Sequence, residues 1–169
     1  MVVAAVILLL AAGIVFTVPA VSVLSLSNRK NSKQRYYSRE AFLNGFEISY
    51  THSVNKGRVH DKYKKTEDNQ LELNSTVFVS YGAGIPEPGE TPGAKFIVRD
   101  DGYEITELHR VVPKLTMAVG IIANHGFLIN GSNGGTGQYY TMTDLFKAQT
   151  SIILEIKRIS FLEYIFHKL

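Results

Sequence analysis

The sequence has no cysteine and no tryptophan, and it carries no charged residue between Val2 and Leu26. Without a thiol, disulfides, thiolate metal sites, cysteine nucleophiles and thiol-linked lipid anchors are excluded. An exported domain of this kind rests on its own hydrophobic core, which is more usual for prokaryotic exported proteins than for small secreted eukaryotic ones. There is no G-x-S-x-G element, so the nucleophile elbow of the α/β-hydrolases is missing. No H-x-H or H-x-x-x-H pair is present, and no cofactor motif stands out. Gly134-Gly135-Thr136-Gly137 lacks the lysine and the strand–loop–helix setting of a phosphate-binding loop. The net charge of +3 is small and its lysines and arginines are scattered, which does not point to nucleic acid. One basic cluster, Arg29, Lys30, Lys33 and Arg35, follows the uncharged segment and suggests contact with a membrane surface.

What is present begins with that segment. About 20 apolar residues cross a bilayer, and residues 2–26 exceed this. A helix is expected over residues 2–18, ended by Pro19. It reads as an uncleaved anchor; a cleaved signal peptide is the alternative. Residues 28–40 are polar and aperiodic and read as a linker, in which Tyr36-Tyr37 could sit at the headgroup level. The expected organisation is therefore a transmembrane anchor or signal segment over 1–27, a linker over 28–40 and a β-domain over 41–169.

From Ala41 the apolar period is two. Phe46, Ile48 and Tyr50 alternate with Glu47, Ser49 and Thr51, and Val59, Asp61 and Tyr63 share a face of the next strand. Leu71, Leu73, Ser75, Val77 and Val79 share a face of a third. The segment Gly82–Gly93 carries three prolines and reads as a long loop. Further strands are expected over 95–99, 103–110, 115–122, 127–129 and 151–159. A helical turn is expected near Thr143–Lys147, and the tail from Phe161 to Leu169 has either helical spacing or extends the last strand. About eight or nine short strands with Gly- and Asp-rich turns predict an all-β domain, an antiparallel sandwich or a closed barrel, preceded by one transmembrane helix.

The stretch Phe46-x-Ile48-x-Tyr50-Thr51-His52-Ser53-Val54, the acid Asp61 after Val59, Tyr81-Gly82-Ala83-Gly84-Ile85-Pro86, and Val119-Gly120-x-x-Ala123-x-His125 resemble domain of unknown function family 1850. The resemblance spans roughly residues 42–160. Arg58 stands where the family commonly has proline, and Asp61 where it commonly has glutamate. Members are small proteins with one N-terminal apolar segment, and their genes often accompany TRAP transporters of the TAXI type, which take up organic solutes with an ion gradient. The resemblance implies a transport-associated accessory protein and supplies no catalytic assignment. It also implies an extracytoplasmic domain on a single-pass anchor in the cell membrane, whereas the basic cluster after the anchor would by the positive-inside rule hold the domain in the cytoplasm.

His52, Ser53, Asp61, Tyr81, Gly82, Gly84, Pro86 and His125 are the candidate site residues. They are expected to form one polar patch at strand ends and loops, where binding residues usually sit. Its expected partners are TRAP transporter subunits or a small anionic solute. Neighbours on a strand point to opposite faces, so His52 and Ser53 do not suit a nucleophile–base pair, and His52 reads first as a cap on the turn after its strand. No catalytic residue and no cofactor is assigned. The alternatives are an exported metal-dependent or hydrolytic enzyme, using His52, Asp61 and His125, and a structural envelope protein. His and Asp ligands from separate loops would suit zinc.

Overall fold

A computed structural model describes residues 13, 16–80, 89 and 91–169. The first strand, β1 (Pro19–Asn28), already departs from expectation, because it uses residues 19–26 of the uncharged run. Leu24 and Leu26 point into the main core, while Val21 and Val23 pack on the other face with Tyr37, Ile159 and Tyr164. A strand covered on both faces is apolar at successive positions, and its periodicity cannot be told from that of a buried helix. The supposed linker is structured too. It contains β2 (Arg35–Ser38) and leads into α1 (Arg39–Asn44), capped by Ser38, whose hydroxyl accepts from the Ala41 N–H at 3.0 Å. Tyr37 is buried, and the Tyr36 hydroxyl donates to the Leu145 carbonyl, so neither ring stands free for lipid headgroups. Helix α1 ends at Gly45, whose φ of 80° suits glycine; a Cβ there would lie 2.5 Å from the Tyr63 carbonyl oxygen.

The strands β3 (Phe46–Thr51), β4 (Arg58–Lys65) and β5 (Leu71–Phe78) follow as an antiparallel meander. Next come β6 (Lys95–Arg99), β7 (Gly102–Thr106), β8 (Arg110–Val111), β9 (Leu115–Ala118), β10 (Gly126–Ile129) and β11 (Gln138–Thr141). Helix α2 (Met142–Leu145), β12 (Ser151–Ser160) and α3 (Phe161–His167) complete the chain. The strand expected over 115–122 stops at Ala118, and Ile121 and Ile122 are exposed in a turn. The alternation expected through His109 breaks after Thr106, where Glu107 and His109 adopt positive φ.

The described residues thus form twelve strands in two antiparallel sheets, more strands than the eight or nine expected. One sheet runs β2-β1-β12-β9. The other runs β11-β10-β3-β4-β5-β7-β6, with β8 beside β5. Leu24, Leu26, Ile152 and Leu154 of the first meet Phe46, Ile48, Phe127 and Ile129 of the second in one core. Phe46 stacks on Tyr63 at 5.1 Å and tilts against Phe127 at 5.5 Å, filling the middle of it. Among the described residues no pairing joins the ends of either sheet, so the domain is all-β and not a closed barrel. No helix among them is long and apolar enough to cross a membrane. Most of the anchor helix expected over residues 2–18 lies outside the described residues.

Candidate functional site

The inner faces of β3 and β4 are apolar except at one point. Phe46 pairs with Tyr63 and Ile48 with Asp61 across the ladder, and Tyr50 pairs with Val59. Alternation places a carboxyl in a row of core side chains. On the next strand Thr76 lies opposite Asp61, and its hydroxyl donates to Oδ1 at 2.7 Å. Tyr50, one diagonal step away, also hydrogen-bonds Asp61. These groups border a partly open cavity of about 200 Å³, lined by Ile48, Tyr50, Asp61, Tyr63 and His125 together with Leu115 and Met117 of β9. The cavity therefore lies between the two sheets.

Its electrostatics follow from burial. Desolvation raises the Asp61 pKa above the ordinary carboxylate value; the bonds from Thr76 and Tyr50 pull it down but do not prevail. The Tyr50 and Tyr63 phenols are pushed up, first by desolvation and then by the nearby Asp61 carboxyl, so both stay protonated. His125 is pushed down, first by desolvation and then by the Arg58 charge. Its Nδ1 accepts from the Gly120 N–H at 3.1 Å, which leaves the proton of the neutral ring on Nε2. The ring lies 5.9 Å from that of Tyr50.

Arg58 fixes the turn that carries His125. Its guanidinium donates to the Asn124 carbonyl at 2.8 Å, to the Ala123 carbonyl at 3.3 Å and to the Ser49 hydroxyl at 2.7 Å. The Thr51 N–H adds a backbone bond to the Ala123 carbonyl at 2.7 Å. A proline at position 58 could make none of the side-chain bonds, so here this tie is built by a side chain instead. Gly126, next to His125, has Ser49 and Tyr139 so close that a Cβ would fall 2.6 Å from the one hydroxyl and 2.5 Å from the other.

The candidate residues separate into three groups. Asp61 and His125 line the cavity together. His52 and Ser53 belong to the turn between β3 and β4 and do not line it: His52 is buried, and its Nδ1 accepts from the N–H groups of Val54 and Asn55 at 3.3 and 3.4 Å. That is the turn-capping role read for it from sequence. Ser53 is exposed, and its carbonyl accepts from Lys56 Nζ at 2.6 Å. Tyr81, Gly82, Gly84 and Pro86 lie outside the described residues. Among the described residues no group of three His, Asp or Glu side chains is placed to hold a metal, so the set His52, Asp61 and His125 is not assembled. His60 faces away from the cavity and pairs with Glu47 at 2.6 Å. Tyr50, Tyr63, Thr76, Leu115 and Met117 were not among the candidates. Alternation alone could have added Tyr50 and Tyr63, which share the face of Asp61.

The family described as Domain of unknown function (DUF1850) matches residues 46–134, just over half of the chain. The chain belongs to this family. The match runs from β3 past β10 and takes in every residue that lines the cavity, while β1, β2 and β12 lie outside it. Neither the curated proteins nor the solved structures searched give a match.

Proposed function

We propose that this chain is a non-enzymatic binding domain, held at the outer face of the cell membrane by the uncharged residues before β1 and working beside a TAXI-type TRAP transporter. The cavity is its contact for a small organic solute. The observation that supports this reading is the convergence of a carboxyl, two protonated phenols and a neutral imidazole on one partly open space with apolar remaining walls. Binding pockets combine an apolar lining with a few convergent polar groups in this way. The cavity is smaller than the roughly 300–1,000 Å³ of typical ligand pockets, so the solute is small.

Its chemistry follows from the lining. Among the described residues Asp61 is the only acidic one in the lining, and no lysine or arginine joins it. The Arg58 charge is spent on carbonyls and a hydroxyl. The small anionic solute expected from sequence would meet no cation among the described lining residues, and the lining favours an uncharged or amine-bearing solute that donates to Asp61 and accepts from His125 Nε2. The transporter association is carried by the family resemblance. The test has two arms. Thermal shift with matched small amines, alcohols and carboxylates should raise the Tm for the first two classes in the wild type and not in Met117→Trp, which fills the space. Purification of the tagged chain from membranes should recover a transporter subunit. No shift with any class and no recovered subunit would overturn the reading.

A further inference from the structure

Helix α3 is amphipathic in the wrong sense for a surface helix. Glu163, Tyr164 and His167 turn toward the four-stranded sheet. Glu163 accepts from the Tyr37 hydroxyl at 2.6 Å and pairs with Arg35 at 3.4 Å, while the His167 ring meets Tyr37 edge-on at 5.8 Å. Phe161, Leu162, Ile165 and Phe166 face outward, with Ile165 55% and Phe166 75% exposed. A helix covering a soluble domain places its apolar stripe inward and its charges outward. Here the one acidic side chain of the helix is drawn inward, and the outer surface is left to large apolar groups.

This face is continuous with the point where the uncharged run enters the fold. Phe16 and Thr17 are helical and lead into β1, and the Phe16 ring lies 5.6 Å from that of Phe161. Val18 is also exposed. Cations stand beside the face. Exposed Arg39 donates to the Ser22 carbonyl and lines one cleft with Tyr164 and Lys168, and exposed Lys168 follows the helix. Aromatic and aliphatic groups bordered by arginine and lysine suit the boundary between acyl chains and anionic headgroups.

We propose that the outer face of α3, with Phe16 and Val18, lies in the headgroup–acyl boundary of the bilayer, so that the four-stranded sheet rests against the membrane. This rests on the anchoring reading above and adds a second, independent contact. The chain has no tryptophan, so a single indole reports its own surroundings. The full-length chain, as F166W or V98W, is reconstituted into phosphatidylcholine–phosphatidylglycerol vesicles with and without brominated acyl chains. Val98 is exposed on the edge strand β6 of the other sheet. In F166W the indole emission should be blue-shifted and lose intensity to the brominated lipid, and in V98W neither should occur. An F166W indole that stays red-shifted, or that is blue-shifted without lipid quenching as if buried against a second copy, overturns this inference while a chain that still floats with the vesicles keeps the anchor. A chain that does not float overturns both.

Discussion

Asp61 is the group on which the reading of the cavity turns, and its two simplest substitutions separate charge from hydrogen bonding. Desolvation holds its folded pKa above the value of about 4 expected in the unfolded chain. The folded state therefore binds more protons than the unfolded state above that pH. Stability contributed by the protonated group is present below about pH 4 and is lost as pH rises through the raised folded pKa. Asp61→Asn keeps an acceptor for Thr76 and Tyr50 but cannot ionise. It should match the wild type near pH 4 and become progressively more stable than it toward pH 7. His125 titrates in the opposite sense. Its lowered folded pKa makes stability fall as pH drops below about 6.5, but this limb is common to both proteins and cancels in their difference.

Asp61→Ala removes the same charge and also the acceptor. The Thr76 hydroxyl, on a residue only 3% exposed, is then left unpaired, which costs about 1–3 kcal/mol. Tyr50 is half-buried at the cavity and can reach water. Asp61→Ala should therefore melt below Asp61→Asn by about 2–12 °C, taking about 2–4 °C per kcal/mol for a chain of this size. Thermal unfolding followed by tyrosine near-UV dichroism between pH 4 and 8 reads all three proteins. If Asp61→Asn is less stable than the wild type at pH 7 and as stable as Asp61→Ala, the ionised carboxylate is a net stabilising group, and the argument from desolvation is wrong.

Arg58→Gln removes the cation whose field lowers the His125 pKa, so that pKa should rise in an NMR titration, and an unchanged value would place the guanidinium outside the site's electrostatics. His52→Ala loses the acceptor that closes the β3–β4 turn, and its Tm should fall while solute-induced shifts persist; lost shifts with an unchanged Tm would return His52 to the binding site. Gly126→Ala drives a Cβ into Ser49 and Tyr139, and urea unfolding should show a loss of about 1–3 kcal/mol, as for other overpacked positions. A fragment beginning at Ala41 lacks β1 and β2, which exposes the β12 edge and removes Leu24 and Leu26 from the core; it should show no cooperative melt, whereas one beginning at Phe16 should.

Where one face of a strand is solvated, the sequence was legible. Phe46, Ile48 and Tyr50, and again Val59, Asp61 and Tyr63, alternate with polar residues, and the faces they predict are the faces observed. The capping of the turn by His52 could be argued from its position at a strand end. Burial on both faces hid β1: Val23, Leu24 and Leu26 gave the same signal as a membrane helix, since nothing polar marks a face. The stretch 28–40 failed in the opposite way. Its arginines, asparagines and lysines masked the half-buried Tyr36 and the buried Tyr37, whose hydroxyls find partners more than a hundred residues away. Partners so distant leave no local pattern. The cavity was half legible for the same reason, because Leu115 and Met117 come from a sheet whose other strands are the chain's ends.

That topology bears on how an anchored domain could work. A flexible linker would let a tethered domain swing and offer its site over a range of heights above the bilayer. Here the uncharged run passes into β1 at Pro19, and β1 is clamped between β2 and β12. β12 in turn pairs with β9, which carries Leu115 and Met117 on the cavity wall. Only two ladder steps, each about 4.8 Å, separate the strand that continues the proposed anchor from the strand that lines the cavity. The basic turn at Arg29–Lys33 lies at the far end of β1, roughly 30 Å along a ten-residue strand from Pro19. Under the proposed anchoring, a cavity tied to β1 in this way would be presented at one height and one orientation, a geometry suited to a membrane-embedded partner that takes up solute at a fixed point and unsuited to capture at a distance.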